Sequence, residues 1–292
     1  MERLEREPGG AALPPDARRR ARLRSAFGPG SALRAVEAVV GGFALVLLMQ
    51  AALGFNVFDG AFWSRFQRSL WQGFWGTLYY SAIILPLSLG VGFLAGWARI
   101  SRYRALSWPV SASVDLIRGV PPLILAIFAF IVIPTLLPPE LRTQGNSLLF
   151  AAIALALHSA AYQAEIFRAG FQSIPRGQLE AAHALGLSRG TIMRSILLPQ
   201  AFRLSLPPLA NEFSTLIKDT SLLGAIGATE MVALGYEFNQ QILVFGVGQL
   251  SWMFAVWATV SLLYFVLTFG VTRVVLLVEM WYRVPGMEAP AA

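Results

Sequence analysis

Residues 165–201 of the chain read EIFRAGFQSIPRGQLEAAHALGLSRGTIMRSILLPQA, a stretch that proline and glycine divide into short segments. We expect one helix to end at Ser173-Ile174-Pro175, because the residue before a proline disfavours the helical conformation. A second, short helix is predicted over residues 177–185. Gly186 is placed to stop it, since glycine readily adopts the left-handed conformation that ends many helices.

A third segment follows at once. Ser188 is placed to cap the next helix, and Pro199 opens the apolar run after it. The two short helices, one over residues 177–185 and one after Ser188, meet at an angle and form what we call the knob. A rigid knob of this kind suits docking to another protein. The alternative is an amphipathic segment that lies on the lipid surface.

The composition excludes a soluble globular protein. The chain has 292 residues, of which 56% are hydrophobic and 13% charged, whereas soluble domains carry roughly 25% charged residues. Its mean hydropathy is +0.60, so polar side chains are too few to cover its surface. The chain has no Cys, which excludes disulfides and Cys-based metal sites. Its net charge of +7 indicates arginine-rich inner loops of a membrane protein rather than a nucleic-acid partner.

Six apolar runs are predicted to cross the membrane, which takes about 20 residues each. They cover residues 38–58, 69–98, 119–139, 143–164, about 204–226, and about 250–275 within the charge-free run 238–272. In the second run, the Gly92–Gly96 spacing lets another helix approach closely. With the N-terminus inside, the inner segments hold 19 Lys and Arg residues and the outer segments hold 3. The positive-inside rule therefore places both termini and the loop 165–203 in the cytoplasm.

Both ends of the chain extend beyond this core. Residues 1–34 contain eight Arg, and we expect a cytoplasmic tail that touches anionic headgroups; a specific docking function is the alternative. Residues 35–58 are predicted to form an extra N-terminal transmembrane helix, since the apolar run exceeds the roughly 7–15 residues of a signal peptide. Residues 284–292 form a short C-terminal tail.

Polar side chains recur on one face of the fifth run. Asn211, Glu212, Thr215, Lys218 and Asp219 fall within a stripe roughly 120° wide on a helix, which we call the polar stripe. Ionisable groups in a span usually face the bundle interior or a water path and pair with each other. The polar stripe is therefore a candidate lining or gate of a translocation pathway. The alternative is an ion pair of Lys218 with Asp219 or Glu212 that braces helix packing.

His158, Tyr162 and Glu165 share one face of the fourth run. They are either further pathway residues or a polar helix end at the membrane interface, aided by Arg168, and we prefer the second interpretation. A metal site is not expected, because one His and one Glu are too few ligands. His183, inside the knob, is interpreted as a contact residue rather than a catalyst.

The knob carries a spaced motif that resembles the EAA loop of ABC importer permeases. Glu180-Ala181-Ala182 is followed by three residues and Gly186, and nine residues later by Ile196-x-Leu198-Pro199. The flanking sequences are similar to the polar amino-acid uptake family, the histidine/glutamine-type permeases. They are Tyr162-x-Ala164-Glu165-Ile166-x-Arg168, Gln172-Ser173-Ile174-Pro175-x-Gly177-Gln178, Leu198-Pro199-Gln200-Ala201, Leu206-Pro207-Pro208-Leu209-x-Asn211 and Lys218-Asp219-Thr220-Ser221-Leu222. The similarity covers about residues 70–283, from Gly73-x-x-Gly76-Thr77-Leu78 onward.

This resemblance implies an all-α integral membrane permease bundle of the type I ABC importer class, with about six transmembrane helices and both termini inside. The permease core is residues 70–283. Its cytoplasmic EAA loop, residues 165–203, is expected to sit in a groove of an ATPase and to transmit the closure of that ATPase. The implied coupling residues are Glu180, Ala181, Ala182, Gly186, Ile196, Leu198 and Pro199.

The resemblance also implies the partners of an amino-acid importer in the bacterial cytoplasmic (inner) membrane. They are a cytoplasmic ABC ATPase dimer, a second permease subunit (a copy or a paralogue), membrane lipid, and an extracytoplasmic amino-acid-binding protein that meets outer loops including residues 138–146. The chain lacks the Gly-Lys-Ser/Thr of a P-loop. We therefore expect no enzyme activity and no cofactor in this chain, with ATP-Mg bound by the partner ATPase, and no nucleic-acid partner.

One position departs from the family pattern. Such permeases often have a polar Gln where this chain has Leu125, after Arg118-Gly119-Val120-Pro121-Pro122. An ion-coupled secondary amino-acid transporter is the alternative function, with Glu212, Lys218 and Asp219 as the relay, although the sequence shows no inverted repeat of that class. A membrane enzyme would need a nucleophile–base pair or a metal cluster, and neither is visible in the sequence.

Overall fold

The computed structural model describes residues 40–282 apart from positions 45, 49, 53–55, 57 and 247. The predicted tails, residues 1–34 and 284–292, lie outside the described residues. The chain divides into two compact units, residues 1–59 with 284–292 and residues 60–283. The first unit contains an apolar helix, Val40–Ala52, within the predicted extra transmembrane helix.

The described part of the second unit is helical, with turns between the helices. In chain order, the helices are α1 (Gly60–Arg99), α2 (Arg104–Arg118), α3 (Pro122–Thr135), α4 (Gln144–Gln172), α5 (Arg176–Ala184), α6 (Arg189–Ile192), α7 (Leu198–Asp219), α8 (Ser221–Gly224), α9 (Met231–Phe245) and α10 (Trp252–Tyr282). A 3₁₀ turn, Pro139–Leu141, precedes α4, and a π-helical segment, Met193–Leu197, joins α6 to α7.

Three of these helices are long and apolar enough to cross a membrane, namely α1, α4 and the Trp252–Val275 part of α10. The number rises to four if α2 and α3 form one broken span. Helix α7 covers much of the predicted fifth span, but its 22 residues include Arg203, Glu212, Lys218 and Asp219. The fold is therefore an all-helical membrane bundle with at least one charged long helix.

The structure differs from the continuous third span that the apolar run 119–139 predicts. Helix α3 has only 14 residues, and α2, in front of it, is bent away by 102°. The bend lies next to Pro121 and Pro122, two consecutive residues that lack the amide N–H of a continuous helix. Pro121 is extended, with φ −57° and ψ 137°, as expected for a residue before a proline.

Helices α1 and α4 pack at very short range through two glycines. A Cβ atom added to Gly92 would lie 2.7 Å from Cβ of Gln163, and one added to Gly96 would lie 2.7 Å from the carbonyl oxygen of Ala164. Any larger side chain at either glycine would push the helices apart. The close approach predicted from the Gly92–Gly96 spacing is thus confirmed.

An apolar core lies between α1, α3, α4, α7 and α8. Its buried members are Ile84, Ala126, Ala151, Ala152, Leu155, Ala156, Leu216, Leu223 and Ala228. The alanines of α4 let neighbouring helices approach, while the branched side chains fill the space between them. A separate aromatic cluster packs the start of α1 against α9 and α10, with the Phe62 ring 6.2 Å from that of Phe238 and 5.8 Å from that of Trp252.

Candidate functional site

The first half of the knob is the short helix that the sequence predicts. Helix α4 ends at Gln172, and Pro175, with φ −58° and ψ 131°, precedes α5. Helix α5 covers Arg176–Ala184, one residue earlier at each end than the predicted 177–185. The prediction of a short helix between Pro175 and Gly186 is therefore confirmed.

Gly186 ends α5 with a Schellman motif. Its φ of 72° is left-handed, which glycine adopts without the steric cost of a Cβ atom. Its N–H donates to the carbonyl oxygen of His183 at 2.9 Å, and the N–H of Leu187 donates to that of Ala182 at 3.2 Å. These two bonds satisfy carbonyl groups at the end of α5. Gly186 is thus the helix stop that the sequence predicts.

The second half of the knob also follows its local sequence. The Ser188 Oγ accepts a hydrogen bond from the N–H of Thr191 at 3.2 Å, so the predicted cap of α6 is confirmed. Pro199 lies in the first turn of α7, as predicted. Because Pro199 has no N–H, it cannot continue the regular hydrogen-bond ladder, and the π-helical segment lies immediately before this turn.

The predicted coupling residues fall into two groups by burial. Glu180, Ala181 and Gly186 are exposed, whereas Ala182 is buried. Ile196, Leu198 and Pro199 are half-buried. The exposed residues present the most surface to a partner, and Ala182 presents almost none. Leu185 was not among the predicted residues, yet its side chain is 78% exposed next to Gly186.

The base of the knob is anchored in an apolar cluster. Phe171, Ile174 and Ala201 are buried together. Leu198 packs against them, as does Phe93 of α1. A displacement of the knob would therefore strain the packing of α1, α4 and α7 at the same time, since closely packed side chains transmit strain.

The polar stripe lies on a face of α7 that the chain leaves partly uncovered. Asn211 and Lys218 are exposed, and Glu212, Thr215 and Asp219 are half-buried. The opposite face is packed inside the bundle, where Ser214, Leu216 and Ile217 are buried. The structure thus brings the five predicted residues together on one accessible face.

Glu212 connects the polar stripe to a buried hydrogen-bond network. The Ser159 hydroxyl donates to Glu212 Oε1 at 2.7 Å. The Gln163 amide donates to Ser159 Oγ at 3.0 Å and to Ser88 Oγ at 2.9 Å. The network ties α1, α4 and α7 together inside the membrane region. Sequence reasoning missed Ser88, Ser159 and Gln163; Ser159 and Gln163 have the i, i+4 spacing of one helix face, whereas Ser88 comes from another helix.

The bracing ion pair of Lys218 is not seen. Between the described residues, no nitrogen–oxygen contact within 4.0 Å joins Lys218 to Asp219 or Glu212; the pairs found are those of Arg99, Arg118 and Arg168. A charged side chain inside a membrane protein is costly unless it reaches water or a partner. The Lys218 side chain lies on the exposed face of α7.

Glu165 is the centre of an arginine cluster at one end of α4. Its carboxylate is paired with Arg168, lies 3.0 Å from Arg99 Nη1 and lies 4.0 Å from Arg118 Nη1. The guanidinium of Arg118 also stacks 5.1 Å from the centre of the Tyr162 ring. The cluster joins the ends of α1, α2 and α4, which fits the polar helix end that we prefer for this face.

The other residue predicted on this face is less accessible. His158 is 8% exposed, and its ring centre lies 5.2 Å from that of Tyr162. His158, Tyr162 and Glu165 thus form a continuous row on α4, as predicted. The sequence did not identify Arg99 and Arg118 as their partners, because these residues come from other helices.

Glu230 is a buried acid that sequence reasoning missed. Its side chain is 0% exposed. It caps α9 by accepting hydrogen bonds from the N–H groups of Val232 at 2.8 Å and Ala233 at 2.6 Å. The Tyr264 hydroxyl of α10 donates a third bond at 2.9 Å. The available signal was an acid directly before the apolar run of α9.

The glycines near the start of the core explain how this segment fits. A Cβ atom added to Gly76 would lie 1.8 Å from the carbonyl oxygen of Thr229, and one added to Gly73 would lie 2.8 Å from Cα of Met231. The Thr77 hydroxyl accepts a hydrogen bond from the Met231 N–H at 3.3 Å. The Gly73-x-x-Gly76-Thr77 pattern therefore lets the backbone around Glu230 pack directly against α1.

Comparison with known proteins places these features in a family. Residues 88–283 match the family model described as "Binding-protein-dependent transport system inner membrane component". The chain is 33% identical over 215 residues to the probable glutamine ABC transporter permease protein GlnP of Bacillus subtilis (strain 168), covering 74% of this chain and 94% of that one. It is 30% identical over 252 residues to the glutamate/aspartate import permease protein GltJ of Escherichia coli (strain K12), covering 82% and 95%.

A solved structure supports the fold. The chain is similar to a crystal structure of an amino acid ABC transporter with histidines, with a TM-score of 0.61 and 24% sequence identity. The match covers 74% of this chain and 95% of that chain. At this identity the likeness shows a shared helical membrane fold.

Proposed function

This chain belongs to the family of binding-protein-dependent transport system inner membrane components, and from that premise we propose how it forms a translocation pathway and couples it to ATP hydrolysis. The chain is the permease subunit of an amino-acid ABC importer. It is a multi-pass protein of the bacterial inner membrane and a non-catalytic subunit. Family membership favours ATP-driven import over an ion-coupled secondary transporter.

For the topology, we propose six spans with both termini in the cytoplasm. They are the extra helix within residues 35–58, helix α1, the bent pair α2–α3, and helices α4, α7 and α10. The loop charges support this arrangement when the third span is taken as the apolar run 119–139, with 19 basic residues inside and 3 outside. Residues 70–283 would form a type I permease core, flanked by the tails 1–34 and 284–292.

The knob is proposed to dock into a groove of a cytoplasmic ATPase dimer. The exposed Glu180, Ala181 and Gly186 would make the contact, and ATP-Mg would be bound by the ATPase. The observation that carries this proposal is the pairing of an exposed tip with a base packed on Phe171, Ile174 and Ala201. Movement of the tip would be passed to α1, α4 and α7, which also hold the Ser88–Gln163–Ser159–Glu212 network.

The polar stripe is proposed to face the pathway between this chain and a second permease, either a copy or a paralogue. Its exposure on α7 supports this role, as does the lack, among the described residues, of a nitrogen–oxygen contact within 4.0 Å from Lys218 to Asp219 or Glu212. An extracytoplasmic binding protein would deliver substrate to the outer loops, including residues 138–146. The names of the relatives, for glutamine and for glutamate and aspartate, support a polar amino acid as substrate.

A pull-down from the native membrane tests the coupling proposal. The tagged chain is purified in a gentle detergent as wild type and as Gly186→Asp. A side chain at a left-handed position costs about 1–2 kcal/mol, of which Asp recovers a part through local hydrogen bonds. The variant is therefore expected to weaken the turn and the recovery of the ATPase, and Gly186→Val, which has no such bonds, to weaken both further. Gly177→Asp is the matched control, because Gly177 lies at the start of α5 without a positive φ and has no atom within 4 Å of an added Cβ.

The control separates turn geometry from charge. Equal recovery of the ATPase with wild type and Gly186→Asp would contradict docking through this turn. Equal loss with Gly177→Asp would show that negative charge, rather than the turn, prevents docking. The binding protein and second permease that co-purify with the wild type would identify the substrate.

A further inference from the structure

A row of polar side chains runs along α4 from the base of the knob to Glu165. Gln172 is the last residue of α4, and its Oε1 accepts a hydrogen bond from Arg168 Nη1 at 2.7 Å. Arg168 Nε in turn donates to Glu165 Oε2 at 3.0 Å. Positions 165, 168 and 172 share one face of the helix. The row therefore moves with the end of α4 to which the knob is attached.

Glu165 extends this row to the last turn of α2. Its carboxylate lies 4.0 Å from Nη1 of Arg118, the residue with which α2 ends. Arg99, at the end of α1, lies 3.0 Å from Glu165 through Nη1 and 3.3 Å from Asp115 of α2 through Nη2. One carboxylate thus ties the end of α2 to α4, directly through Arg118 and indirectly through Arg99. We call this group the Glu165 cluster; its members are Arg99, Asp115, Arg118, Glu165 and Arg168.

The Glu165 cluster is partly shielded from water. The side chain of Arg99 is 9% exposed and that of Glu165 is 29% exposed. Partly buried pairs are screened less than the surface pairs that contribute little to stability. Removing the carboxylate would leave three guanidinium groups close to one another, and like charges repel. Glu165 is the acid that all three of these arginines contact, so the arrangement depends on it.

The last turn of α2 leads directly into the bend of 102° between α2 and α3. Before the bend, the N–H of Val120 donates back to the carbonyl oxygen of Ile117 at 3.3 Å. After it, the carbonyl oxygen of Pro121 accepts from the N–H of Ile124 at 3.0 Å. Each bond stays on its own side of the bend, and Pro121 and Pro122 have no N–H to donate across it. The angle can therefore change without breaking these bonds.

The apolar contact of α2 with α4 permits sliding. Val114 packs against Ala161 and Ala164, and alanine side chains are too short to interlock with a neighbouring helix. Packed helices of this kind shift along each other by small sliding movements. The ion pairs of the Glu165 cluster, rather than interlocking side chains, therefore fix the position of α2 along the axis of α4.

Helix α3, beyond the bend, reaches the core of the bundle. Ala126 of α3 is buried together with Leu155 of α4 and Leu216 of α7. Helix α7 carries the polar stripe on its other side. A change in the bend angle would therefore displace side chains that pack against α7, since closely packed interiors transmit strain.

We propose that Glu165 is a positioning residue that carries the movement of the knob to the bend between α2 and α3. When the partner ATPase displaces the knob, Arg168 and Glu165 move with α4. They pull the end of α2 through Arg118 and Arg99. The bend then changes its angle, and α3 shifts against α7. The proposal rests on the proposed function, which assigns the knob to an ATPase.

The test measures the bend in the full transporter complex with two spin labels. The chain has no native Cys, so Ala105→Cys on α2 and Ile131→Cys on α3 supply its labelling sites, and both residues are exposed. The other subunits are made free of Cys, and the labelled chain is diluted with unlabelled chain. Double electron–electron resonance gives the distance between the labels without nucleotide and after trapping with ATP-Mg and vanadate. The wild type is expected to show a shift in this distance on trapping.

Glu165→Gln should lose most of this shift while the ATPase is still recovered with the chain. Arg118→Gln, which removes the direct contact with the end of α2, should lose part of the shift. Glu165→Asp, which keeps the carboxylate, should retain part of it. Glu237→Gln is the matched control, because it removes the charge of an exposed acid on α9 and should keep the full shift.

A purely structural role for Glu165 gives a different result. Glu165→Gln would then lower the unfolding temperature of the complex but leave the shift at its wild-type value, and that result would overturn the proposal. A wild type that holds the ATPase but shows no shift would overturn it too. Loss of the ATPase from Glu165→Gln would assign Glu165 to docking instead. If Glu165→Gln does not fold, a full wild-type shift in Arg118→Gln overturns the proposal.

Failure of this proposal is distinguishable from failure of the proposed function. ATPase recovery with the wild type and with Gly186→Asp tests the docking of the knob without spin labels. If the ATPase is recovered and the shift is equal in the wild type and in Glu165→Gln, the knob docks but Glu165 does not carry its movement. If no ATPase is recovered with the wild type, the proposed function fails and this proposal fails with it.

Discussion

The knob and the polar stripe are fewer than 20 residues apart in the chain, but they are held in different ways. The turns of the knob depend on neighbours in sequence, as in the Gly186 N–H bond to His183 and the Ser188 bond to Thr191. The polar stripe depends on distant residues, as in the Ser159 bond to Glu212, which joins positions 53 residues apart. Local bonds hold the turns of the knob, whose base packs on the bundle through an apolar cluster, whereas the polar stripe is held by a hydrogen bond to another helix.

This difference predicts that the loss of a hydroxyl group destabilises the bundle more when the group bonds to another helix than when it bonds within its own helix. Ser159→Ala should destabilise the bundle by about 2–3 kcal/mol, because it leaves the half-buried Glu212 carboxylate without its donor, and hydrogen bonds to charged groups are the stronger ones. The measurement is the thermal unfolding of the chain in detergent. Ser113→Ala is the matched control, since the exposed Ser113 donates only to the Pro109 carbonyl oxygen of its own helix.

The two variants separate the network from a general loss of hydroxyl groups. Ser113→Ala should change the free energy of unfolding by less than about 0.5 kcal/mol, as is usual for surface substitutions. If Ser159→Ala unfolds at the same temperature as Ser113→Ala, the network does not hold α4 to α7. The polar stripe would then be no more anchored than the knob.

In the knob, the corresponding change should have a smaller effect. Ser188→Ala removes the cap of α6 and should cost about 1 kcal/mol, the typical cost of losing a Ser cap. The cost should appear as faster proteolysis within residues 176–197, with unchanged thermal unfolding of the bundle. Thr191→Ala is the control for the side-chain bond, because it removes only the hydroxyl that lies 2.9 Å from Ser188 Oγ and keeps the backbone N–H that Ser188 accepts from. Lower thermal stability of the whole bundle in Ser188→Ala would show that the knob is not a separate unit.

The same contrast explains what could be predicted from the sequence. Single residues with a preferred local geometry determine the helix stop at Gly186, the cap at Ser188 and the helix start at Pro199. The spacing of the glycines predicted the approach of α4 to α1 at Gly92 and Gly96. These features need no knowledge of the rest of the fold.

Other features depended on which helices meet in space. Glu165 was found, but its partners Arg99 and Arg118 come from α1 and α2. The charge-free run 119–139 gave no sign of how far α2 turns away at Pro121-Pro122. Glu230 was missed because its burial depends on Gly73, Gly76 and Tyr264, which lie more than 30 positions away in the chain. Hydropathy describes which segments enter the membrane but not which side chains they present to each other.

The smallest effect on stability is expected at Lys218, and it bears most directly on the role of the polar stripe. Lys218→Gln should change the free energy of unfolding by less than about 0.5 kcal/mol, because the side chain is exposed and makes no ion pair with Asp219 or Glu212. If Lys218 were a brace, its loss would instead leave an acid unpaired and destabilise the bundle by several times that amount.

If the polar stripe lines the pathway, the reconstituted transporter should lose stimulation of its ATPase by the loaded binding protein while its unfolding temperature stays unchanged. Lys218→Arg keeps the charge and should retain most of that stimulation. If Lys218→Gln lowers the free energy of unfolding but leaves the ATPase stimulation normal, Lys218 braces the helices and does not line the pathway. A residue that only holds helices together changes transport by changing the stability of the fold.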